Sequence, residues 1–383
     1  MNQPSQRYHR HAPKTGAEFI RSRDIWLMLR TDSVLAVLLL ILSCVGLISL
    51  YSASGGNVAM TIKQGSSFLI GYMVLLVMAR IPPATYHYIS PWFYAGGVVL
   101  LIAVELFGQV RMGAQRWISV PGIASVQPSE FMKIGMPMMI AWYLSTRATG
   151  KIEFKDLAVS FALLMVPVVL IVKQPDLGTS ILVFVSGFFV IFLAGLSWRI
   201  ITAALAFSIA ITPIAWQFLH DYQRRRVLTL FNPDADPLGA GWNIIQSKTA
   251  IGSGGLFGKG WMNGTQSHLH FLPEGHTDFI IAAFSEEFGF IGVLALFLLY
   301  FAILARCLFI TLAAQSSYAR LLAGAITLSF FIYIFVNVCM VSGILPVVGV
   351  PLPFMSYGGT AIITLMAGFG ILMSIHSNRK LMG

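Results

Sequence analysis

The chain carries little charge. Only 10% of its 383 residues are Asp, Glu, Lys or Arg, where an ordinary globular domain has about 25%. That excludes a cytosolic enzyme, a secreted domain and a disordered tail protein, each of which needs polar surface or polar length. Cysteine is scarce as well. Cys44, Cys307 and Cys339 all lie in or beside apolar runs. Their odd number gives no disulfide framework, and their spacing fits no metal-ligand motif. Acidic residues are few, 15 against 25 basic ones, for a net charge of +10. Apolar residues are abundant at 57%, and the mean hydropathy is +0.78. This composition belongs to a polytopic membrane protein. In such a protein, excess Lys and Arg mark cytoplasmic loops rather than a nucleic-acid surface.

Hydropathy along the chain predicts ten spans, at 33–51, 66–80, 91–107, 129–146, 157–173, 178–195, 199–219, 279–305, 318–341 and 358–376. Spans 66–80 and 157–173 fall short of the about 20 residues a membrane helix needs, as tilted, bent or buried helices do. Pro167 and Pro213 are expected to kink their helices and free carbonyls that must find partners in the bundle. The expected fold is an all-α polytopic membrane protein. It is a single bundle of about ten transmembrane helices, with a large extracytoplasmic loop, 220–278, between spans 7 and 8. Residues 1–32 read as a basic cytoplasmic tail, either solvated or folded as an interfacial amphipathic helix around Trp26. The tail is too long and charged for a cleaved signal. The membrane domain is expected at 33–378, with a cytoplasmic end at 379–383. An even number of spans puts both termini on one side, and the basic short loops place that side in the cytoplasm.

The opposite, outer side then carries the motifs. Gln127-Pro128-Ser129-Glu130 suits a helix start, with Pro at the first position and an acid in the first turn. Lys133 follows Glu130 by three residues, so the two share a helix face and can pair. A charge inside the bilayer costs about 2.5–3.5 kcal/mol and needs a partner or a wet cavity. Lys173-Gln174-Pro175-Asp176-Leu177-Gly178-Thr179 is a tight turn in which Asp176 can cap the next helix or hold a cation. The loop 220–278 is Gly-rich, yet Trp242, Leu256, Phe257, Trp261 and Phe271 argue against disorder. It shows no nucleotide-binding pattern. Glu274, His276 and Asp278 cluster at the mouth of a long span, where Asp278 or Thr277 can serve as an N-cap and Asp278 equally as a general base. Asn337 to Thr360 holds Pro346, Pro351 and Pro353 between two spans, so it must be a shaped, non-helical segment.

These motifs resemble the SEDS family of polymerases (shape, elongation, division and sporulation), the RodA, FtsW and SpoVE proteins. The likeness rests on the Asn, Gly, Pro and Ser356-Tyr357-Gly358-Gly359 positions of the last stretch, and on QPSE, QPDLGT and HTDF in the same order. The loop around Ile251-Gly252-Ser253-Gly254-Gly255 resembles the RodA branch. His268 and His270 depart from it, standing where Gln and Glu are common.

The resemblance implies a peptidoglycan glycosyltransferase of the bacterial inner membrane. It would polymerise lipid II on the outer face during cell elongation. It implies Asp278 as the base. Arg111, Arg116, Lys133, Arg224 and Lys248 are the pool from which pyrophosphate contacts are expected. Glu130 and Asp176 would orient those cations or bind a metal, and His276 and Ser356 complete the expected substrate site. Mg²⁺ or Mn²⁺ is the implied cofactor, with no organic one, although no ligand spacing for it is visible. The implied partners are lipid II, the lipid-linked glycan chain, membrane lipids and a class B penicillin-binding protein, a transpeptidase packing near spans 279–305 and 318–341. Two other readings fit ten spans: a flippase or transporter of the lipid-linked precursor, and a non-catalytic scaffold. A carrier should place its polar site near the midplane and show an inverted repeat, and none is evident.

Overall fold

The computed structural model describes residues 31–111, 114–119, 125–147, 153–218, 221–232, 240–268 and 274–378. The expected tail helix around Trp26 and the end 379–383 lie outside them. Each of the ten expected spans is a helix: α1 (Ser33–Ala53), α2 (Val58–Arg80), α3 (Pro83–Phe107), α4 (Pro128–Arg147), α5 (Phe154–Lys173), α6 (Leu177–Leu193), α7 (Trp198–Phe218), α11 (Ile280–Leu312), α12 (Ser317–Val341) and α13 (Gly359–Ser377). Among the described residues, seven are long and apolar enough to cross a membrane. Of the others, α6 and α7 have shorter apolar stretches, and α4 carries Glu130, Lys133 and Arg147.

The helix starts follow local chemistry. The side chains of Asp32, Asn57, Asp176 and Ser316 accept the backbone N–H of Leu35, Met60, Thr179 and Ala319, filling orphan donors of the first turn. Pro83 and Pro128 sit at first helical positions. α2 starts eight residues before the hydropathy onset at 66 because its polar residues are accommodated locally. Ser66 and Ser67 hydroxyls donate to the Lys63 carbonyl (2.7 and 3.0 Å), and Gln64 is buried against the bundle.

Two regions differ from expectation. Between α3 and α4 lies a small antiparallel sheet of β1 (Gln109–Arg111), β2 (Ala114–Ser119) and β3 (Ser125–Val126), in that order. The stretch 220–278, read as one large loop, contains α8 (Asp221–Phe231), α9 (Ala240–Gly254) and α10 (Thr265–His268). Ser247 pins α9 to the bundle by donating to the Val341 carbonyl (2.8 Å) at the end of α12.

Small residues let the helices approach closely, as membrane packing requires. α13 runs against α2 where a Cβ on Gly370 would sit 2.6 Å from the Leu75 carbonyl oxygen. α7 is different: Trp198, Leu205, Phe207 and Ile209 are exposed, as on a helix surrounded by lipid. α11 breaks at Gly289 (φ 65°, ψ −167°).

One ionic junction ties three helices at the end where α1 begins. Asp32 accepts from Arg306 of α11 at 3.1 and 2.5 Å, and His376 of α13 lies 3.2 Å from it. Counting from this junction at about 1.5 Å per residue, Ile48 on α1, Gly289 on α11 and Gly359 on α13 all lie roughly 25 Å away. That is close to the about 30 Å of a bilayer's hydrocarbon.

Burial pushes the Asp32 carboxyl up. The Arg306 hydrogen bonds, the Leu35 N–H and the charges of Arg306 and His376 outweigh it, and the pKa falls below the usual 3.8. A depressed carboxylate contributes stability above its unfolded-state value and loses it as pH falls through the folded value. The unfolding temperature in detergent is therefore expected to hold from neutrality to about pH 5 and to fall below pH 3.8. Asp32→Asn should cost on the order of 3 kcal/mol at neutral pH and shrink the acid-side fall. Wild-type behaviour in both measurements would dissolve the junction's structural role.

Candidate functional site

Two stretches of non-helical backbone meet at the end of the bundle opposite Asp32. One is the turn 274–279 leading into α11. The other is the segment 342–358 between α12 and α13. They are stitched together by named groups. Ser356 Oγ donates to the Thr277 carbonyl (2.5 Å) and accepts the Leu352 N–H (2.8 Å). The Tyr357 N–H donates to the His276 carbonyl (3.0 Å). Asn337 of α12, fully buried, donates to the carbonyls of both Asp278 and Val350 at 2.8 Å. Gln64 of α2, also buried, donates to the Ser356 carbonyl (3.0 Å) and accepts the Gly358 N–H (3.2 Å).

Asp278 is thus held by its backbone while its side chain stays partly exposed. The N-cap of α11 is Phe279, so neither Thr277 nor Asp278 takes the capping position. The carboxylate faces Gly349, whose φ is 74° and where a Cβ would come 3.5 Å from Oδ2. A side chain there would be strained.

A second group stands across the segment. Arg116 of β2 donates to the Pro175 carbonyl (2.5 Å) and lies 3.6 Å from Asp176. Asp176 caps α6 through Thr179 and accepts from Gln127 (3.1 Å), so the capping and cation-holding readings both hold. Lys133 and Glu130 pair at 2.5 Å, each about 10% exposed. Lys133 Nζ also lies 5.3 Å from the Tyr333 ring centroid. The second Glu130 oxygen, Oε2, is buried with no hydrogen-bond partner among the described residues. The start of α6 approaches the same segment, since a Cβ on Gly178 would lie 2.5 Å from the Val348 carbonyl oxygen.

The Lys133–Glu130 pair of the second group and Ser356 of the first line one cavity between α4, α6, α12, α13 and the segment 351–358. Glu130, Lys133 and Tyr333 line it on one side and Ser356 on another, with Leu182, Phe330 and Phe369 among its apolar walls. An ion pair among apolar walls suits a ligand with an apolar tail and an anionic head.

Other expected residues are placed differently. Lys248 of α9 is exposed and lies over Gly343, at the start of the segment. Arg111 ends β1, paired with Ala114. Arg224 is not brought to the cavity. Its guanidinium donates to the carbonyls of Trp216 and Gln217 (3.1 and 2.7 Å) at the end of α7, where unpaired carbonyls attract a cation. Gln64 was not legible as a site residue, because one Gln in a helix of mixed polarity gives no signal. Asn337 was legible only as a motif position.

A resident divalent cation needs several converging oxygen ligands. Among the described residues no three acidic, His or Cys side chains converge. Glu130 and Asp176 are already engaged by Lys133 and by Arg116, Gln127 and Thr179. The described residues do not build a resident metal centre.

The family model for FtsW, RodA and SpoVE, described as cell cycle protein, matches residues 26–381. The chain belongs to the FtsW/RodA/SpoVE family. It is 49% identical over 361 residues to the peptidoglycan glycosyltransferase MrdB of Escherichia coli K12, covering 94% of this chain and 97% of the relative. A Helicobacter pylori protein of the same name is 35% identical, covering 85% and 86%. Among solved structures, RodA of Thermus thermophilus matches with a TM-score of 0.69 at 27% identity, covering 91% of this chain and 97% of its own. A chain from a peptidoglycan synthase complex that coordinates polymerisation and crosslinking matches with a TM-score of 0.79 at 28% identity, covering 90% and 97%.

Asn337→Ala would remove the donor shared by the carbonyls of Asp278 and Val350, at about 1–3 kcal/mol for a carbonyl left dry. Hydrogen exchange is expected to rise in 274–279 and 342–358 together. A rise in one segment alone would show that Asn337 does not couple them.

Proposed function

We propose that this family member polymerises lipid II into glycan strands, with Asp278 as the general base. The observation that carries the proposal is the placement of Asp278. Its backbone is fixed by Asn337, its neighbour Thr277 is bonded to Ser356, and Ser356 lines the apolar cavity holding Lys133 and Glu130. Lipid II has a long isoprenoid tail, a pyrophosphate and a disaccharide-peptide. An apolar cavity suits part of the tail, cations at its mouth suit the pyrophosphate, and the polar turn suits the sugar.

In the reaction an acceptor sugar hydroxyl attacks the anomeric carbon of the lipid-linked donor. The bond from that carbon to the pyrophosphate oxygen breaks, with inversion, and Asp278 takes the hydroxyl proton. The pyrophosphate leaves as an anion and needs charge stabilisation rather than a proton, so a second carboxylate acid is unnecessary. Lys133 and Arg116 are the inner cations of the proposal, and Lys248 and Arg111 the outer ones. Glu130 and Asp176 hold Lys133 and Arg116 in place, and His276 shares the turn. Mg²⁺ or Mn²⁺, if it arrived with the substrate, would supply countercharge to the pyrophosphate.

The proposed orientation has both termini in the cytoplasm and Asp278 on the outer face, as the basic short loops favour. The solved match from a synthase complex supports a crosslinking partner. We propose a class B penicillin-binding protein whose membrane helix packs near α11 and α12. The position of the site at a helix end, away from the midplane, favours polymerisation over transport.

Purified Asp278→Asn is expected to make glycan strands about 10²–10⁴-fold more slowly than wild type, with unchanged thermal stability. Full chain synthesis by the folded variant would remove Asp278 from the role. No strand synthesis by wild type, together with precursor translocation in liposomes, would favour the carrier. Chelation is expected to slow polymerisation and leave the unfolding temperature unchanged. A chelator-induced fall in that temperature would reveal a resident metal.

A further inference from the structure

The turn between α9 and α10 is fastened to two membrane helices at one level. Where α11 breaks at Gly289, the turn replaces the missing helical partners. The N–H groups of Phe290 and Ile291 donate to the carbonyls of Gly255 and Leu256 (2.9 and 3.1 Å). In return, the N–H groups of Lys259 and Gly260 donate to the carbonyls of Glu286 and Glu287 (2.9 and 3.0 Å). The contact is so close that a Cβ on Gly258, at φ 78°, would sit 2.1 Å from the Glu287 carbonyl oxygen. On α1 the Trp261 indole donates to the Ile48 carbonyl (3.3 Å).

Those anchor points fix the depth of the turn. Gly289 and Ile48 both lie roughly 25 Å along their helices from the Asp32 junction. That distance nearly spans a hydrocarbon core. The turn therefore sits at the hydrocarbon edge on the Asp278 side. Its apolar side chains are uncovered there: Leu256 is 63% exposed, Phe257 80% and Trp261 48%. Next to them Phe290 and Ile291 of α11 are exposed too. The polar side of the same turn is bound inward. Lys259 Nζ donates to Glu286 (2.6 Å), which also accepts from the Thr265 N–H (2.8 Å). The backbone of the turn is paired to protein, as non-helical chain at membrane depth must be. Trp and Lys beside exposed Phe and Leu make a membrane-interface composition.

We propose that Gly255–Trp261 is an interfacial wedge, with the side chains of Leu256, Phe257 and Trp261 inserted among the lipid chains of the leaflet on the Asp278 side. The wedge holds the otherwise water-exposed α9 and α10 at a set height, and through Glu286 it steadies the segment of α11 that begins at the Asp278 turn. The proposal is independent of the catalytic role of Asp278.

The test labels the full chain with an environment-sensitive fluorophore at Phe257→Cys in proteoliposomes. Cys44→Ser removes the exposed native thiol, because Cys307 and Cys339 are buried. Phe301→Cys, lipid-exposed and further down α11, is the deep reference, and Asn232→Cys at the end of α8 is the exposed reference. The label at 257 is expected to lose emission to a nitroxide near the head of the lipid chain, less to one near its end, and least to aqueous iodide. The label at 301 should favour the deep nitroxide. Iodide quenching at 257 as strong as at 232 would place the turn in water and overturn the wedge. Shielding at 257 from both nitroxides and iodide would show that protein covers it, and would overturn it too.

Discussion

Backbone that leaves the helix at the rim of a bilayer must find every hydrogen-bond partner in the protein. That constraint governs the working end of this molecule. The segment 342–358 cannot be helical, given its prolines, and the turn 274–279 must feed a long helix. Each supplies what the other lacks. Asn337 ties the carbonyls of both, Ser356 bonds across them, and Gln64 closes the exit into α13. The carboxylate of Asp278 inherits its position from this backbone pairing.

The same economy of charge recurs along the bundle. Every buried acid described above answers a specific need. Asp32 gathers Arg306 and His376 at one end. Glu130 balances Lys133 beside the cavity. Glu286 collects Lys259 and the backbone of α10. A charge at membrane depth is costly alone, so pairing lets these residues persist where a ligand's anionic head could later compete for the cation.

Much of this was legible in the sequence. The apolar runs marked all ten long helices, because hydropathy is what a bilayer reads. Asp176, Glu130 and Lys133 were legible because their spacing has a local meaning, a cap and an i,i+3 pair. Other features depend on contacts far apart in the chain. Gln64 acts on Ser356 and Gly358, and Ser247 acts on Val341. No local pattern encodes those bonds. The sheet 109–126 and the helices within 220–278 were missed because their short, mixed-polarity segments carry no clear period. The bonds from Arg224 to the end of α7 were not legible, since proximity to other cations in sequence says nothing of a helix end.

We propose that a lipid-linked sugar reacts between Asp278 and the cavity that Lys133 lines. The most direct measurement is a structure of the protein with lipid II bound. The isoprenoid tail is expected in the cavity and the pyrophosphate on the Lys133 and Arg116 side. A sugar hydroxyl is expected within about 3 Å of the Asp278 carboxylate. Lipid II seated elsewhere, with Asp278 facing no substrate oxygen, would contradict the proposal.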